Sequence, residues 1–269
     1  MPTTLRQGVR LHWEIEGYGP PLLLLNSIGT DLHLWDRVMP HLDGYRVVRM
    51  DTRGHGQSDA PVGDYSLEML AQDVLVVLDD AGLERVAIAG VSLGGMIAME
   101  LAFDHPERVA ALLPICTSAK MDSAAWAARV ATVRAGGTEA ILELAMSRFL
   151  SPSFMQSEPE IAAQVADGLW RMADAGYAGC AAAIRDMDIY WRLGTLGLPT
   201  LVIAGDRDTS TPFETHGAHI METIAGARAT ILHAAHLAPL EAPAELAAAI
   251  TGFLDEVAVT SPMHSGEHS

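Results

Sequence analysis

The sequence predicts an α/β protein, a mostly parallel twisted sheet flanked by helices, and three observations carry that prediction. Short apolar, β-branched runs alternate with longer segments whose apolar residues recur at helical spacing. One strand-to-helix junction carries Gly90-Val91-Ser92-Leu93-Gly94, a Gly-x-Ser-x-Gly turn. Between 118 and 197 the alternation stops, and helical segments follow one another with no strand-like run between them.

Composition bounds the rest. At 269 residues, nearly half of them apolar, the chain can bury a sizeable core. No apolar run approaches the ~20 residues that span a bilayer, and the first residues lack the charged-then-apolar pattern of a signal peptide. Cys116 and Cys180 are too few for a disulfide framework or a metal knot. A cytoplasmic protein without metal or cofactor is expected, as a monomer or small homo-oligomer. The formal charge of −17 opposes nucleic acid and anionic membranes as partners, because long-range repulsion would have to be overcome. It does not oppose a small-molecule substrate, which responds to the local field of its pocket.

Taken in order, 9–16 alternates loosely and reads as an antiparallel edge strand. Leu22 to Leu25 is fully apolar, as a central strand is. A turn of small residues, 26–30, follows, and 32–42 reads as a helix with Asp31 as N-cap. The strand at 46–50 leads into Asp51-Thr52-Arg53-Gly54-His55-Gly56-Gln57-Ser58-Asp59, dense in charge and glycine, where His55 reads as a local structural partner. A periodic helix at 67–83 leads to the strand at 85–89, the seryl turn, a helix at 96–103 and a strand at 108–115.

Alanine-rich helices are expected at 123–134, 138–149, 161–175 and 178–186. Leaving and re-entering at the carboxyl edge of the strands, they would form a cap over the ligand crevice. The expected organisation is a core of 1–117 and 198–258, a helical cap of 118–197 inserted after the sixth strand, and a disordered tail of 259–269 containing His264 and His268. The strand at 200–204, a helix at 212–224, the last strand at 227–232 and a helix at 244–257 complete the core.

The chemistry follows from three positions. A serine hydroxyl needs an imidazole to take its proton, and a buried carboxylate fixes that imidazole's tautomer and steadies its cation. Ser92 is the expected nucleophile, His236 the general base and then acid, and Asp208 the orienting acid, with Asp206 as rival. The order Ser…Asp…His is the one that accompanies this strand–turn–helix motif. The backbone N–H of Leu93 and that of Ile28, with Ser27 as alternative, are expected to hold the oxyanion.

Together these residues carry a resemblance. Asp51-x-Arg53-Gly54-His55-Gly56-x-Ser58, the seryl turn, Gly205-x-x-Asp208 and Ala235-His236-x-x-x-x-Glu241-x-Pro243 resemble the α/β-hydrolase superfamily over nearly the whole chain. More narrowly, Asn26-Ser27-Ile28-Gly29-Thr30-Asp31-x-x-x-Trp35 is similar to 3-oxoadipate enol-lactonases, where most other relatives carry His-Gly in place of Asn26-Ser27. The chain departs from that family in reading Ser-Leu-Gly-Gly at the turn, where Ser-Met-Gly-Gly is more usual. The resemblance implies the α/β-hydrolase fold and hydrolysis of a small carboxylated lactone in aromatic-compound catabolism (the β-ketoadipate pathway).

A carboxylated substrate calls for a cation, first Arg134, with Arg148 and Arg192 as alternatives. Trp126, Trp170 and Trp191 could wall the pocket. A general carboxylesterase, a C–C bond hydrolase or perhydrolase, and a non-catalytic ligand receptor are the competing readings.

Overall fold

The computed structural model describes residues 2–260. Its strands are β1 Thr3–Arg6, β2 Val9–Glu16, β3 Pro21–Leu25, β4 Arg46–Met50, β5 Val86–Val91, β6 Val109–Ile115, β7 Leu201–Gly205 and β8 Arg228–Leu232. They form one eight-stranded sheet in the order β1-β2-β4-β3-β5-β6-β7-β8. β2 pairs antiparallel with β1 and β4, and every other ladder is parallel. The chain crosses from β3 to β4 on one side and returns to β5 on the other. A crevice therefore opens at the carboxyl ends of β3 and β5, where open α/β sheets bind ligands.

The helices are α1 Leu67–Asp80, α2 Leu93–Asp104, α3 Ser123–Gly136, α4 Leu142–Phe149, α5 Pro152–Ser157, α6 Pro159–Arg171, α7 Asp174–Asp186, α8 Gly217–Thr223, α9 Ala238–Glu241 and α10 Pro243–Thr260. α3 to α7 all lie between β6 and β7, where a helical insertion is expected. The core runs along both faces of the sheet: β3 and β5 are buried along almost their whole length, and α2 is buried from Leu93 to Ala102.

Several expectations are corrected. The strand at 9–16 is not the edge, because β1 pairs outside it. β1 is short and polar, and Thr4 anchors it by accepting from Trp13 Nε1 at 3.0 Å and donating to Asp80 Oδ2 at 2.6 Å. The helix expected over 32–42 is instead two 3₁₀ turns, Leu32–Trp35 and Met39–His41. Pro40 has no N–H to give and would crowd the carbonyl four residues back, so no continuous α-helix forms there. Asp31 does cap the first turn, accepting from His33 N at 2.9 Å. α5 and α9 have no counterpart among the expected helices, and of 212–224 only Gly217–Thr223 is helical. α10 continues through Thr260, so 259–260 are helical rather than part of a tail; His264 and His268 lie outside the described residues.

The insertion meets the core through glycine. A Cβ on Gly176 of α7 would lie 2.1 Å from the Gly54 carbonyl oxygen, and one on Gly54 would lie 2.5 Å from Gly176 Cα. Tyr65 N donates to Gly179 O at 3.1 Å, and the Tyr65 ring fills the space where a Gly179 side chain would go. Gly176→Ala is therefore expected to destabilise the protein by roughly 1–3 kcal/mol, the usual effect of overpacking. Gly168→Ala on α6, which meets nothing within 4 Å, should stabilise slightly through helix propensity. Urea midpoints of the two variants check this; equal midpoints would mean that α7 and the 53–56 turn do not touch.

Candidate active site

Ser92 occupies the junction of β5 and α2 with φ 53° and ψ −114°, a backbone region that side-chain-bearing residues rarely adopt. Glycines make the turn possible. A Cβ on Gly90 would lie 2.3 Å from the carbonyl carbon of Gly94, and a Cβ on Gly94 would lie 2.5 Å from Leu25 O. The second contact seats the start of α2 against the end of β3, which brings the 26–31 loop beside Ser92. Ser92 N donates to Ile115 O at 2.9 Å, and Thr117 Oγ1 donates to the Ser92 carbonyl at 2.6 Å. Both bonds hold the strained turn from its β6 side.

Asp208 follows β7 and His236 follows β8. His236 Nδ1 and Asp208 Oδ2 are 2.9 Å apart, with the two residues only 3% and 4% exposed. Asp208 also receives Ser210 N at 2.7 Å and Thr211 N at 3.1 Å on Oδ1, and Thr211 Oγ1 at 2.7 Å on Oδ2. Burial pushes its carboxyl up, but the His236 imidazole and the bonds from His236 and Thr211 outweigh that and hold it at about 2. Asp206, the rival acid, bonds the exposed His233 Nδ1 at 2.7 Å instead. An imidazole fixed at Nδ1 by a buried carboxylate can accept a proton at Nε2, which is the base that a serine hydroxyl needs.

The loop after β3 is held by His55. Its Nε2 accepts from Gly29 N at 3.0 Å, and its Nδ1 lies 3.2 Å from the Arg53 carbonyl. Full burial, only partly offset by that carbonyl and Asp51, pulls His55 down to about 4, so the ring is neutral with its proton on Nδ1. Fixing the Gly29 amide fixes the peptide that follows Ile28. Among the described residues, the Ile28 and Leu93 amides hold no other hydrogen-bond partner, so both remain able to receive an anion.

Three further contacts support the His236 loop. The Phe149 ring at the end of α4 lies stacked on it, 6.2 Å between centroids. Leu237 N donates to Phe149 O at 3.0 Å. Glu241 accepts from Ala235 N at 3.1 Å, from Ser151 N at 2.6 Å and from Ser151 Oγ at 3.0 Å. The glutamate of the Ala235-His236-x-x-x-x-Glu241 pattern thus binds the histidine loop to the helical insertion.

The structure does not gather Arg134 and Trp191 to this site. Arg134 is half-exposed and spends its guanidinium on Asp64, and Trp191 is 76% exposed. Trp126 is partly buried on α3 beneath the Arg129 guanidinium, 4.8 Å from its ring centre. Arg192 pairs with Glu100 and Asp104, and Trp170 is exposed. Among the described residues no group of three or more His, Cys, Asp or Glu has the placement to hold a metal ion, and no helix is long and apolar enough to cross a membrane. A cavity of about 470 Å³ adjoins Gly29, His55 and α6 but is lined by neither Ser92 nor His236.

A strained seryl turn after β5, with a carboxylate–imidazole pair after β7 and β8 of such a sheet, defines a class of hydrolytic enzymes. The chain belongs to the alpha/beta hydrolase fold family, whose model matches residues 20–243, and is a hydrolase. It is 34% identical over 245 residues to 3-oxoadipate enol-lactonase 2 of Acinetobacter baylyi, covering 90% of this chain and 91% of that one. The enol-lactonase of Burkholderia xenovorans superposes with a TM-score of 0.91 at 32% identity, over 94% of this chain and all of that one (100%). A hydrolase of Pseudomonas aeruginosa gives a TM-score of 0.90 at 36% identity, over 93% and 96% of the two chains.

Proposed function

We propose that this hydrolase opens a small carboxylated lactone of the 3-oxoadipate enol-lactone type through an acyl-enzyme. The observation that carries the reading is the buried Asp208–His236 pair, set on the sheet edge that also presents Ser92. The likeness to enol-lactonases over nearly the full chain supports the substrate class.

In the proposed sequence, His236 Nε2 takes the Ser92 proton as Oγ attacks the lactone carbonyl, and Asp208 steadies the imidazolium. The Ile28 and Leu93 amides receive the developing oxyanion, each such donor being worth about 3 kcal/mol of barrier. Collapse breaks the ring C–O bond; the leaving enol oxygen takes the proton from His236 and the enol becomes the ketone. Water, deprotonated by His236, then attacks the acyl carbonyl and Ser92 leaves with the proton returned. The span 118–197 serves as a cap, with Phe149 and Leu169 reaching the 26–31 loop at Gly29.

One observation favours a second reading. With Arg134 turned to Asp64, the cation first expected for a substrate carboxylate is elsewhere, as it could be in a carboxylesterase for neutral esters. Loss of enol-lactone absorbance, measured beside a neutral ester of similar size, decides between them. A kcat/KM at least tenfold higher on the lactone is expected; activity on the ester alone would replace the lactonase reading with the esterase one.

A further inference from the structure

A second cavity, about 360 Å³, lies outside the His236 and Asp208 loops. Arg148 at the end of α4, Ser151 and Ser153 at the start of α5, Arg207 and Thr209 around Asp208, and Ala235 beside His236 line it, and its lining contains no carboxylate. The absence is notable in a chain with 34 Asp and Glu against 17 Lys and Arg. Among the described residues, every cation except Arg46, Arg85, Arg129, Arg148 and Arg207 lies against a carboxylate. Arg46 and Arg85 are spent on the carbonyls of Ala81 and Val109, and Arg129 on the Tyr177 hydroxyl and the Trp126 ring. The other two share this cavity.

Arg148 is exposed and makes no hydrogen bond, ion pair or ring contact among the described residues. Arg207 donates to Ser153 Oγ at 3.0 Å and to His233 Nε2, and His233 Nδ1 meets Asp206 on the outer side. The nearby Glu241 carboxylate is committed to Ser151 and Ala235 N. Two guanidiniums, one unspent and one held by a hydroxyl and an imidazole, thus line a concave space edged by serine and threonine hydroxyls. Guanidinium forks match carboxylate geometry and bind it by charge-assisted hydrogen bonds.

We propose that this cavity is an anion site that takes a small carboxylate, apart from the reaction centre at Ser92. A ligand there would touch the segments that carry Asp208 and His236. The assignment rests on two arginines that meet no carboxylate and does not depend on the role given to Ser92.

Calorimetric titration of the full chain with succinate at low ionic strength tests it. Saturable one-to-one binding is expected, weakened by added salt as screened charges require. The double variant Arg148→Gln/Arg207→Gln should lose at least tenfold in affinity, while Arg46→Gln/Arg85→Gln, with the same charge change elsewhere, should keep it. Both doubles alter exposed or carbonyl-bonded groups, and the single variants repeat the test should a double fail to fold. Undetectable succinate binding, or equal loss in both doubles, would overturn the proposal. Repeating the titration after an organophosphate has modified the protein separates this site from the reaction centre. Retained binding supports a separate site, and binding lost on modification overturns it. A missing mass increase on modification would count against the nucleophile reading of Ser92 and leave the cavity's own test intact.

Discussion

Ser92→Ala is expected to lower kcat by roughly 10⁴–10⁶-fold, the range seen when a triad nucleophile is removed and only the oxyanion donors and substrate binding remain. The size of the effect comes from chemistry rather than folding. Ser92 is bonded to its surroundings through its backbone, N to Ile115 O and carbonyl to Thr117 Oγ1, and alanine keeps both groups. Alanine meets the same φ of 53° with a side chain of the same branching at Cβ, so the turn carries no new strain. Steady-state turnover with a thermal melt beside it is the measurement. If the melt is unchanged and more than about a hundredth of the rate survives, Ser92 is not the nucleophile.

Asp208→Asn should cost about 10⁴-fold in kcat, and the hydrogen bonds around the residue say why. Ser210 N and Thr211 N donate to Oδ1, so an asparagine turns its carbonyl oxygen toward them and its NH₂ toward His236 Nδ1. The imidazole must then accept at Nδ1 and carry its proton on Nε2, where no base is left for Ser92. The pH dependence tests the carboxylate itself. The Asp208 carboxyl is held at about 2, below its ordinary 3.8, so its stabilisation is complete above about 3.8 and is lost as the pH falls toward 2. An acid limb of activity above pH 4 in the wild type therefore belongs to another group. Between pH 4 and 2 the melting temperature of the wild type should fall further than that of Asp208→Asn; parallel curves would show that the carboxylate is not depressed.

The parts of this architecture written in local sequence were readable, and the parts written in long-range contacts were not. β3 and β5 are buried on both faces, so their composition alone marks them. Gly90 and Gly94 announce the seryl turn because only they leave room for it. Asp208 could be preferred to Asp206 since two further residues let the chain turn back toward His236. Pro40, by contrast, broke a helix that its apolar neighbours suggested. The pairing of Arg134 with Asp64 has no local signal, because the two stand seventy positions apart. Thr211 carried a weak signal, a hydroxyl three residues past an acid. Phe149 reaches His236 from 87 positions away, and although Glu241 stands in the same local pattern as His236, its partner Ser151 lies 90 positions away, so both contacts exist only once the insertion is folded.

The Glu241 carboxylate makes two distant parts of the chain move as one. One side chain grips Ser151 and the amide of Ala235, while Leu237 N is tied to Phe149 O on the other side of the histidine. A shift of the 149–151 stretch would therefore drag the imidazole with it. The seating of the insertion and the aim of the imidazole are thereby a single mechanical condition, and neither can be disturbed without the other.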